Sequence, residues 1–292
     1  MTLVAVWVRR NATLSELVAI SDSRLSGGES WDRCPKLVPL PRPATAIAMS
    51  GDATAAYAFL LQATNACLLL DGNEVGRTDI RYLARKLRDL YAESRREVGD
   101  LPSGQTTADV PVLNVVLFGW SWRRLCFEAY SYSYDQSGTL VMNTIRDLEE
   151  SAPYGVYFAG DASGEAGASL RNILKEKDAP RPQRGHPEAS EQARKANLDW
   201  EPFQVLQQLI DDSNVRTVGG VPQMLKIYQY GLTETFVWRT DTGDYFGGRE
   251  VKHGERFDRR IARFVDGGVR LQYSDRSIAR AVEDLSDSDE EV

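Results

Sequence analysis

The sequence contains few of the residues on which metal centres and histidine-based catalysis depend. Its 292 residues include two histidines, His186 and His253, and three widely spaced cysteines, Cys34, Cys67 and Cys126. No cysteine pair has the spacing of metal ligands, and a disulfide framework is not expected in a chain of this length. A catalytic triad needs a histidine oriented by an acid, and both histidines lie in polar stretches. The sequence therefore predicts no metal, no cofactor and no histidine triad.

Long apolar runs and an excess of basic residues are also missing. No apolar run reaches the roughly 20 residues that a membrane span requires. The first apolar run is short and is followed, not preceded, by Arg9 and Arg10, which argues against a signal peptide. The net charge is −7 and the basic residues are scattered, so no footprint for nucleic acid is visible. We expect a cytoplasmic protein without membrane or nucleic-acid partners.

The chain alternates between strand-rich and helix-rich blocks. TLVAVWVRR and LVAISDSR flank a polar turn and predict a first hairpin, and KLVPLPR and ATAIAMSG predict a second strand pair. Two helices, four strands and two further helices are predicted next, and VPQMLKIYQYG and TETFVWR predict a last strand pair. This order predicts an α+β fold in which helices cover two stacked sheets on both sides.

The clearest helical pattern lies in RTDIRYLARKLRDLYAESRREV. Ile80, Leu83, Leu87 and Leu90 recur on one face, while arginines and acids fill the other. This spacing predicts that the four apolar side chains are buried on one side of an amphipathic helix.

Composition divides the chain into a main domain and a polar end. We expect residues 2–245 to form one domain with a polar, proline-containing insertion at about 176–198. A C-terminal extension at 246–282 is expected to be mixed and polar, with short strand-like pieces such as GVRLQYS. The acidic segment 283–292 is too polar to pack and is predicted to be disordered.

Thr2 lies directly behind the initiator methionine and begins the first strand. The unbroken apolar run at residues 3–8 predicts a strand buried on both faces, which would hold Thr2 firmly at the edge of the core. A threonine hydroxyl is a weak nucleophile, but the free α-amine of the same residue, with a pKa of about 7.7–8.0, could serve as its base. We therefore consider a working N-terminal Thr2, exposed by removal of Met1, beside the simpler reading that a short strand comes first.

A cation near the hydroxyl, and a carboxylate to hold that cation, would complete such a site. Lys36 in CPKLVPL and Asp22 in AISDSR lie on neighbouring predicted strands of the same block as Thr2. The structural alternative is that Lys36 is a solvated edge residue and that Asp22 caps a turn.

From Thr2 to about Leu70, the sequence resembles the catalytic β-type subunits of the proteasome and the bacterial peptidase HslV. The resemblance implies that Thr2 is the nucleophile, that Asp22 in SDSR is its acidic partner and that Lys36 is the catalytic lysine. It also implies that the backbone N–H of Gly51, in AMSGDATAAYAF, helps to bind the oxyanion. The implied fold is a four-layer αββα sandwich of the N-terminal-nucleophile (Ntn) hydrolase type.

Two later motifs are similar to the family's turns but depart from them. In YFAGDASGEAG, Asp161 takes the place of the family's serine unless the register shifts by two, in which case Ser163 takes it. In TVGGVPQMLKI, Val218 replaces a serine, and Val215 stands where the family has an aspartate. These departures leave open a threonine peptidase, a weak or inactive scaffold subunit, and an amidase acting on a small amide.

The resemblance further implies an uncharged pocket for the substrate residue that precedes the cleaved bond. The substrate-binding positions that it assigns are Leu25, Ser26, Cys34, Met49 and Ala53. The expected partners are a peptide or protein substrate, further copies of the chain in a homo-oligomeric ring, and an ATPase or other regulator.

Overall fold

The computed structural model describes most of the chain outside the predicted insertion and the C-terminal end. The described residues are 2–10, 14–26, 29–73, 75, 77–106, 108–145, 148, 155–177, 198–255 and 260–273. Nearly all of the predicted insertion at 176–198 and the whole acidic segment 283–292 therefore lie outside the described residues.

The described chain folds as a mixed α+β structure, as predicted. Its elements follow in the order β1 (Val4–Arg10), β2 (Ser15–Ser21), β3 (Leu25–Ser26), β4 (Ser30–Trp31), β5 (Leu37–Pro39), β6 (Thr45–Gly51), α1 (Ala53–Leu69), α2 (Ile80–Arg96), β7 (Leu113–Ser121), β8 (Cys126–Tyr134), β9 (Leu140–Ile145), β10 (Val156–Ala159), α3 (Ser163–Glu176), α4 (Glu201–Asp211), β11 (Gln223–Tyr228), β12 (Thr233–Thr235), β13 (Val237–Arg239), β14 (Asp244–Phe246), β15 (Arg249–Glu250), β16 (Arg260–Val265) and β17 (Gly268–Tyr273). In the described part of the chain, no helix is both long and apolar enough to cross a membrane.

Two five-stranded antiparallel sheets form the centre of the fold. The first has the strand order β10-β1-β2-β11-β12 and the second has the order β5-β6-β7-β8-β9. The predicted first hairpin is confirmed, because β1 and β2 pair over seven residues from Val4 opposite Ser21 to Arg10 opposite Ser15. The predicted pairing of β5 with β6 is confirmed as well.

A third sheet occupies the region expected to be a mixed, polar extension. It has the order β15-β14-β13-β16-β17, with β13 parallel to β16 and the other pairs antiparallel. The predicted last strand pair is correct only in part. β12 pairs with β11, but the chain leaves the first sheet at Phe236 and β13 joins the third. The expected boundary after residue 245 lies within β14.

Three hydrophobic clusters hold these layers together. In one cluster, α1 and α2 pack on the second sheet, and Phe59, Leu83 and Met49 are among its members. In another, α3, α4 and part of the third sheet pack on the first sheet around Trp7 and Phe203. The remaining cluster contains side chains from the facing sides of the first and second sheets. The first strand is thus buried on both faces, as its unbroken apolar run predicts.

The amphipathic pattern of α2 is correct at three of its four positions. Ile80, Leu83 and Leu87 are buried against the second sheet, but Leu90 is 43% exposed. Leu90 lies ten residues after Ile80, which is 1000° of helical rotation and places it about 80° away from the centre of the buried stripe. The prediction that Leu90 is buried was therefore wrong.

Candidate active site

Thr2 lies two residues before the start of β1, the second strand of the first sheet, and is almost fully buried. The turn between β10 and α3 closes on it at Gly160, which has a φ of +102°. A Cβ atom at Gly160 would lie 2.0 Å from the carbonyl oxygen of Thr2, so this close approach requires glycine. The strand start is therefore enclosed on this side by backbone.

The carboxylate of Asp22 is the centre of the hydrogen-bond network around Thr2. Its Oδ1 atom accepts hydrogen bonds from the Thr2 hydroxyl, from the N–H of Leu3 at 3.1 Å and from Nζ of Lys36 at 2.9 Å. Its Oδ2 atom accepts from the N–H groups of Arg24 and Gly219, each at 3.1 Å. The bond from the N–H of Arg24 is the turn contact that the structural alternative expected. The other four hydrogen bonds are not explained by a turn.

Lys36 supplies a buried positive charge to the same group. Its ammonium group donates to Oγ1 of Thr2, to Oδ1 of Asp22 and to the carbonyl oxygen of Arg24. The side chains of Lys36 and Asp22 have no exposed surface, so Lys36 is not a solvated edge residue. Burial lowers the pKa of Lys36, and the charge and hydrogen bond of Asp22 oppose this shift.

The ion pair joins the two main sheets. Asp22 follows the last residue of β2 in the first sheet, and Lys36 precedes the first residue of β5 in the second. The carbonyl oxygen of Lys36 also accepts a hydrogen bond from Met49 of β6 at 3.1 Å. The structure therefore brings Thr2, Asp22 and Lys36 together, as the sequence-based hypothesis requires.

Gln223 is a residue of this network that the sequence reasoning missed. Its Oε1 atom accepts from the backbone N–H of Lys36 at 3.1 Å, and its Nε2 atom donates to the carbonyl oxygens of Asp22 at 3.2 Å and Cys34 at 2.8 Å. One buried amide thus fixes the backbone at both members of the ion pair. Its sequence signal is a polar residue that opens an otherwise mostly apolar strand, in VPQMLKI.

A second layer of contacts holds the turn that carries Gly219. The Arg24 guanidinium makes a two-pronged ion pair with Asp32, at 2.6 and 2.9 Å, and donates to the carbonyl oxygen of Val218 at 3.3 Å. The hydrogen bond from Arg24 also lowers the pKa of Asp32. Because the turn is fixed in this way, the N–H of Gly219 reaches the carboxylate of Asp22.

Gly51 ends β6, where it pairs with Leu113 and has a φ of +97°. A Cβ atom there would lie 2.1 Å from the carbonyl oxygen of Val112, so the position needs glycine for its own fold. The assignment of the Gly51 N–H as an oxyanion donor stays a prediction.

Asp161 and Ser163 follow the glycine that contacts Thr2. The side chain of Asp161 is exposed, whereas Ser163 is half-buried and begins α3, with its N–H donating to the carbonyl oxygen of Gly160 at 3.1 Å. No hydrogen bond among the described residues connects either side chain to Thr2, so the choice between them stays open.

The two valines at the later turn pack as apolar residues. Val218 is buried in the cluster that contains Trp7, and Val215 packs against the same cluster. Neither side chain can supply the hydroxyl or carboxylate that the family carries at the corresponding positions. The backbone of this turn still contributes, through Gly219, to the environment of Asp22.

The five predicted substrate-binding residues differ in their accessibility. Leu25, Ser26 and Ala53 are half-buried, whereas Cys34 and Met49 are buried. Met49 packs in the core cluster beneath α1 and α2, and Leu25 packs against it. Burial raises the pKa of the Cys34 thiol, which opposes formation of a reactive thiolate. Their role in binding a substrate stays a prediction.

No protein-family model and no curated protein matches this chain. The functional argument therefore depends on the chemistry of the buried group. A lysine cation in contact with the Thr2 hydroxyl favours its deprotonated form, and an adjacent carboxylate holds the cation in place. This is the electrostatic requirement of a threonine nucleophile, whose proton a nearby base must still accept.

Proposed function

We propose that this chain is a threonine-type peptidase that uses Thr2 as an N-terminal nucleophile. The observation that carries the proposal is the contact of the Thr2 hydroxyl with both members of the buried ion pair between Lys36 and Asp22. A buried charge pair is costly to maintain, and here it is directed at a hydroxyl group. Such an arrangement has a clear use in activating that hydroxyl.

The proposed mechanism begins with removal of Met1, which frees the α-amine of Thr2. The amine accepts the proton of the Thr2 hydroxyl as its oxygen attacks a peptide carbonyl, and Lys36 stabilises the developing alkoxide. Backbone N–H groups near Gly51 bind the oxyanion of the tetrahedral intermediate. The amine then gives its proton to the leaving amine, and a water activated by the same base hydrolyses the ester.

The packing of the chain supports a four-layer αββα sandwich of the Ntn-hydrolase type as the fold. The three hydrophobic clusters contain, in turn, helices α1 and α2 with the second sheet, both sheets together, and the first sheet with helices α3 and α4. In this arrangement the nucleophile lies at the end of a central strand. The third sheet is an addition to this four-layer arrangement.

Self-association into a ring is part of the proposal. Helix α1 has no charged residue in its 17 positions and exposes Leu61 and Leu68, each to 66%. An exposed apolar stripe of this kind is typical of surfaces that associate. A monomer at micromolar concentration in light scattering would contradict the ring, and with it a peptidase enclosed by one. An ATPase or regulator that delivers substrates belongs to the same hypothesis.

An inactive scaffold subunit is a second candidate, and one observation favours it. Val215 and Val218 place apolar side chains where the resemblance expects polar support for the Thr2 amine. The buried triplet of Thr2, Asp22 and Lys36 favours the enzyme, because a scaffold does not require a cation beside a hydroxyl.

Mass spectrometry and an electrophilic probe would test the proposal. The purified protein should lack Met1, and an epoxyketone or vinyl sulfone probe should modify Thr2, as located by peptide mapping. Thr2→Ala should abolish labelling and hydrolysis, while Thr54→Ala, which changes an exposed threonine of α1, should alter neither.

The outcomes separate the candidates. Retained Met1 with no labelling would contradict both enzymatic functions and leave the scaffold. Labelled Thr2 without cleavage of any peptide would favour an amidase that acts on small amides.

A further inference from the structure

A pocket of about 260 Å³ lies at the C-terminal end of α2, beside the edge strand β9. Its lining includes Ala92, Arg95 and Arg96 from α2, Val110 from the following loop, and Tyr134 and Leu140 from β8 and β9. None of its lining residues hydrogen-bonds to Thr2, Asp22 or Lys36. It is therefore separate from the candidate active site.

The lining of the pocket has an apolar side and a positively charged side. Ala92, Val110 and Leu140 form an aliphatic wall, while two guanidinium groups supply positive charge, and no acidic side chain is among the described residues that line the pocket. Arg95 is anchored by a hydrogen bond to the carbonyl oxygen of Asp109, and the side chain of Arg96 is exposed. This combination suits a ligand with an apolar body and an anionic end.

The hydroxyl of Tyr134 adds a third polar group to the two guanidinium groups of the pocket. Its oxygen is buried beside the side chains of Arg95 and Tyr91, which are its hydrogen-bonding neighbours. An anion held by the arginines would accept the proton of this hydroxyl.

The size of the pocket limits the ligand. An apolar cavity of about 150 Å³ accommodates benzene, and pockets for drug-sized molecules begin near 300 Å³. The volume of about 260 Å³ therefore fits a single ring or a short branched chain with one anionic group.

We propose that this pocket binds a small carboxylate with an apolar body, held by Arg95, Arg96 and Tyr134 against the wall formed by Val110 and Leu140. Arylacetates and the carboxyl ends of short apolar peptides share this chemistry. The site is independent of the proposed hydrolysis at Thr2, and its test does not require activity.

Ligand-observed ¹⁹F NMR on the full chain tests the proposal with 4-fluorophenylacetate as the probe. The expected result is a saturable broadening of the ¹⁹F signal. The neutral analogue 4-fluorophenylacetamide has the same ring without the charge and should bind with an affinity at least about tenfold lower. Acetate, which has the charge without the body, should compete poorly. Both comparisons use the same protein and separate the contribution of the carboxylate from that of the ring.

Variants locate the binding. Arg96→Gln should weaken the probe about tenfold, because it removes a charge-assisted hydrogen bond, and Tyr134→Phe should weaken it less. Arg85→Gln changes an exposed arginine of the same helix outside the pocket and should leave binding unchanged. Thermal unfolding of each variant checks that the fold is intact.

The proposal is overturned if the neutral amide binds as tightly as the carboxylate, or if Arg96→Gln and Arg85→Gln bind the probe equally. In either case the two arginines serve only as cations at the C-terminal end of a helix, where they stabilise its dipole.

Discussion

Replacing Lys36 with methionine removes the cation beside Thr2 and keeps an unbranched side chain of similar length. The change breaks a fully buried ion pair, for which the loss of one partner typically costs about 3–5 kcal/mol. The low end of this range is expected here, because Asp22 keeps hydrogen bonds from one hydroxyl and three backbone N–H groups.

A loss of about 3 kcal/mol should lower the melting temperature by roughly 6–12 °C. The Asp22→Asn change removes the other charge, so the double variant should be less destabilised than the sum of the single variants, by about 1–3 kcal/mol. The coupling would measure the interaction between the two side chains directly. Lys86→Met, at an exposed position of α2, is the matched control and should change stability by less than about 0.5 kcal/mol.

The assay pairs urea unfolding with the rate at which an epoxyketone modifies Thr2. If the cation favours the Thr2 alkoxide, Lys36→Met should slow modification at least about 100-fold, the size of effect seen when one preorganised charge-stabilising donor is removed. Modification at the original rate in a folded Lys36→Met variant would refute the catalytic role and leave the ion pair purely structural. A stability change below about 0.5 kcal/mol would instead contradict its burial.

Three further results are expected. Gln223→Met should lower the free energy of unfolding by about 1–3 kcal/mol and slow modification of Thr2, because it leaves the N–H of Lys36 and two carbonyl groups unpaired. The control Gln62→Met, on the exposed face of α1, should have neither effect. Equal effects of the two changes would contradict a positioning role for Gln223. Burial raises the pKa of Tyr91 to about 12, so its contribution to stability is complete below about pH 10 and is lost as the pH rises towards 12. Tyr91→Phe should therefore show a shallower alkaline loss of stability in urea titrations, and an unchanged slope would exclude Tyr91 as its source. Fluorogenic peptides should be cleaved faster after Leu or Tyr than after Arg or Glu, because burying an apolar side chain in an uncharged pocket stabilises the bound substrate by about 1.5–3 kcal/mol. The opposite order would show that the predicted substrate-binding residues do not form the pocket.

The parts of the fold with strong local patterns were predictable from the sequence. The first hairpin follows from two apolar runs around a polar turn, and the burial of β1 on both faces follows from its unbroken apolar run. Helix α2 was predictable as an amphipathic helix, and three of its five buried residues, Ile80, Leu83 and Leu87, were identified. Leu90 was misplaced because the heptad-like spacing drifts away from the true helical period over ten residues.

The third sheet was less predictable for physical reasons. Three of its strands have only two or three residues, polar and apolar residues are mixed in its strands, and β13 pairs in parallel with β16 although residues 240–259 lie between them. Local periodicity contains no information about such a pairing. The strand break at Phe236 has the same origin, because TETFVWR contains no glycine, proline or other turn residue where the chain changes sheets.

Within the candidate site, residue types were easier to predict than contacts. Thr2, Asp22 and Lys36 could be proposed because Thr2 follows Met1, because Asp22 and Lys36 lie on neighbouring predicted strands, and because all three match the motifs that carry the resemblance. Gln223 could not, because its bond to Asp22 spans 201 positions and depends on the register of β11 against β2. The sequence indicates Gln223 only as a polar residue at the start of a mostly apolar strand.

The placement of Asp22 and Lys36 at strand ends of two different sheets has a consequence for the proposed reactivity of Thr2. A chain in which either sheet has formed alone has no cation beside the hydroxyl, because the two charges meet only after the sheets have docked. In the proposed mechanism, nucleophilicity at Thr2 is therefore a property of the finished tertiary structure and is absent from nascent or partly folded chains. In that mechanism, a transient separation of the sheets would remove the cation from the Thr2 hydroxyl at the same moment that it exposes the core between them.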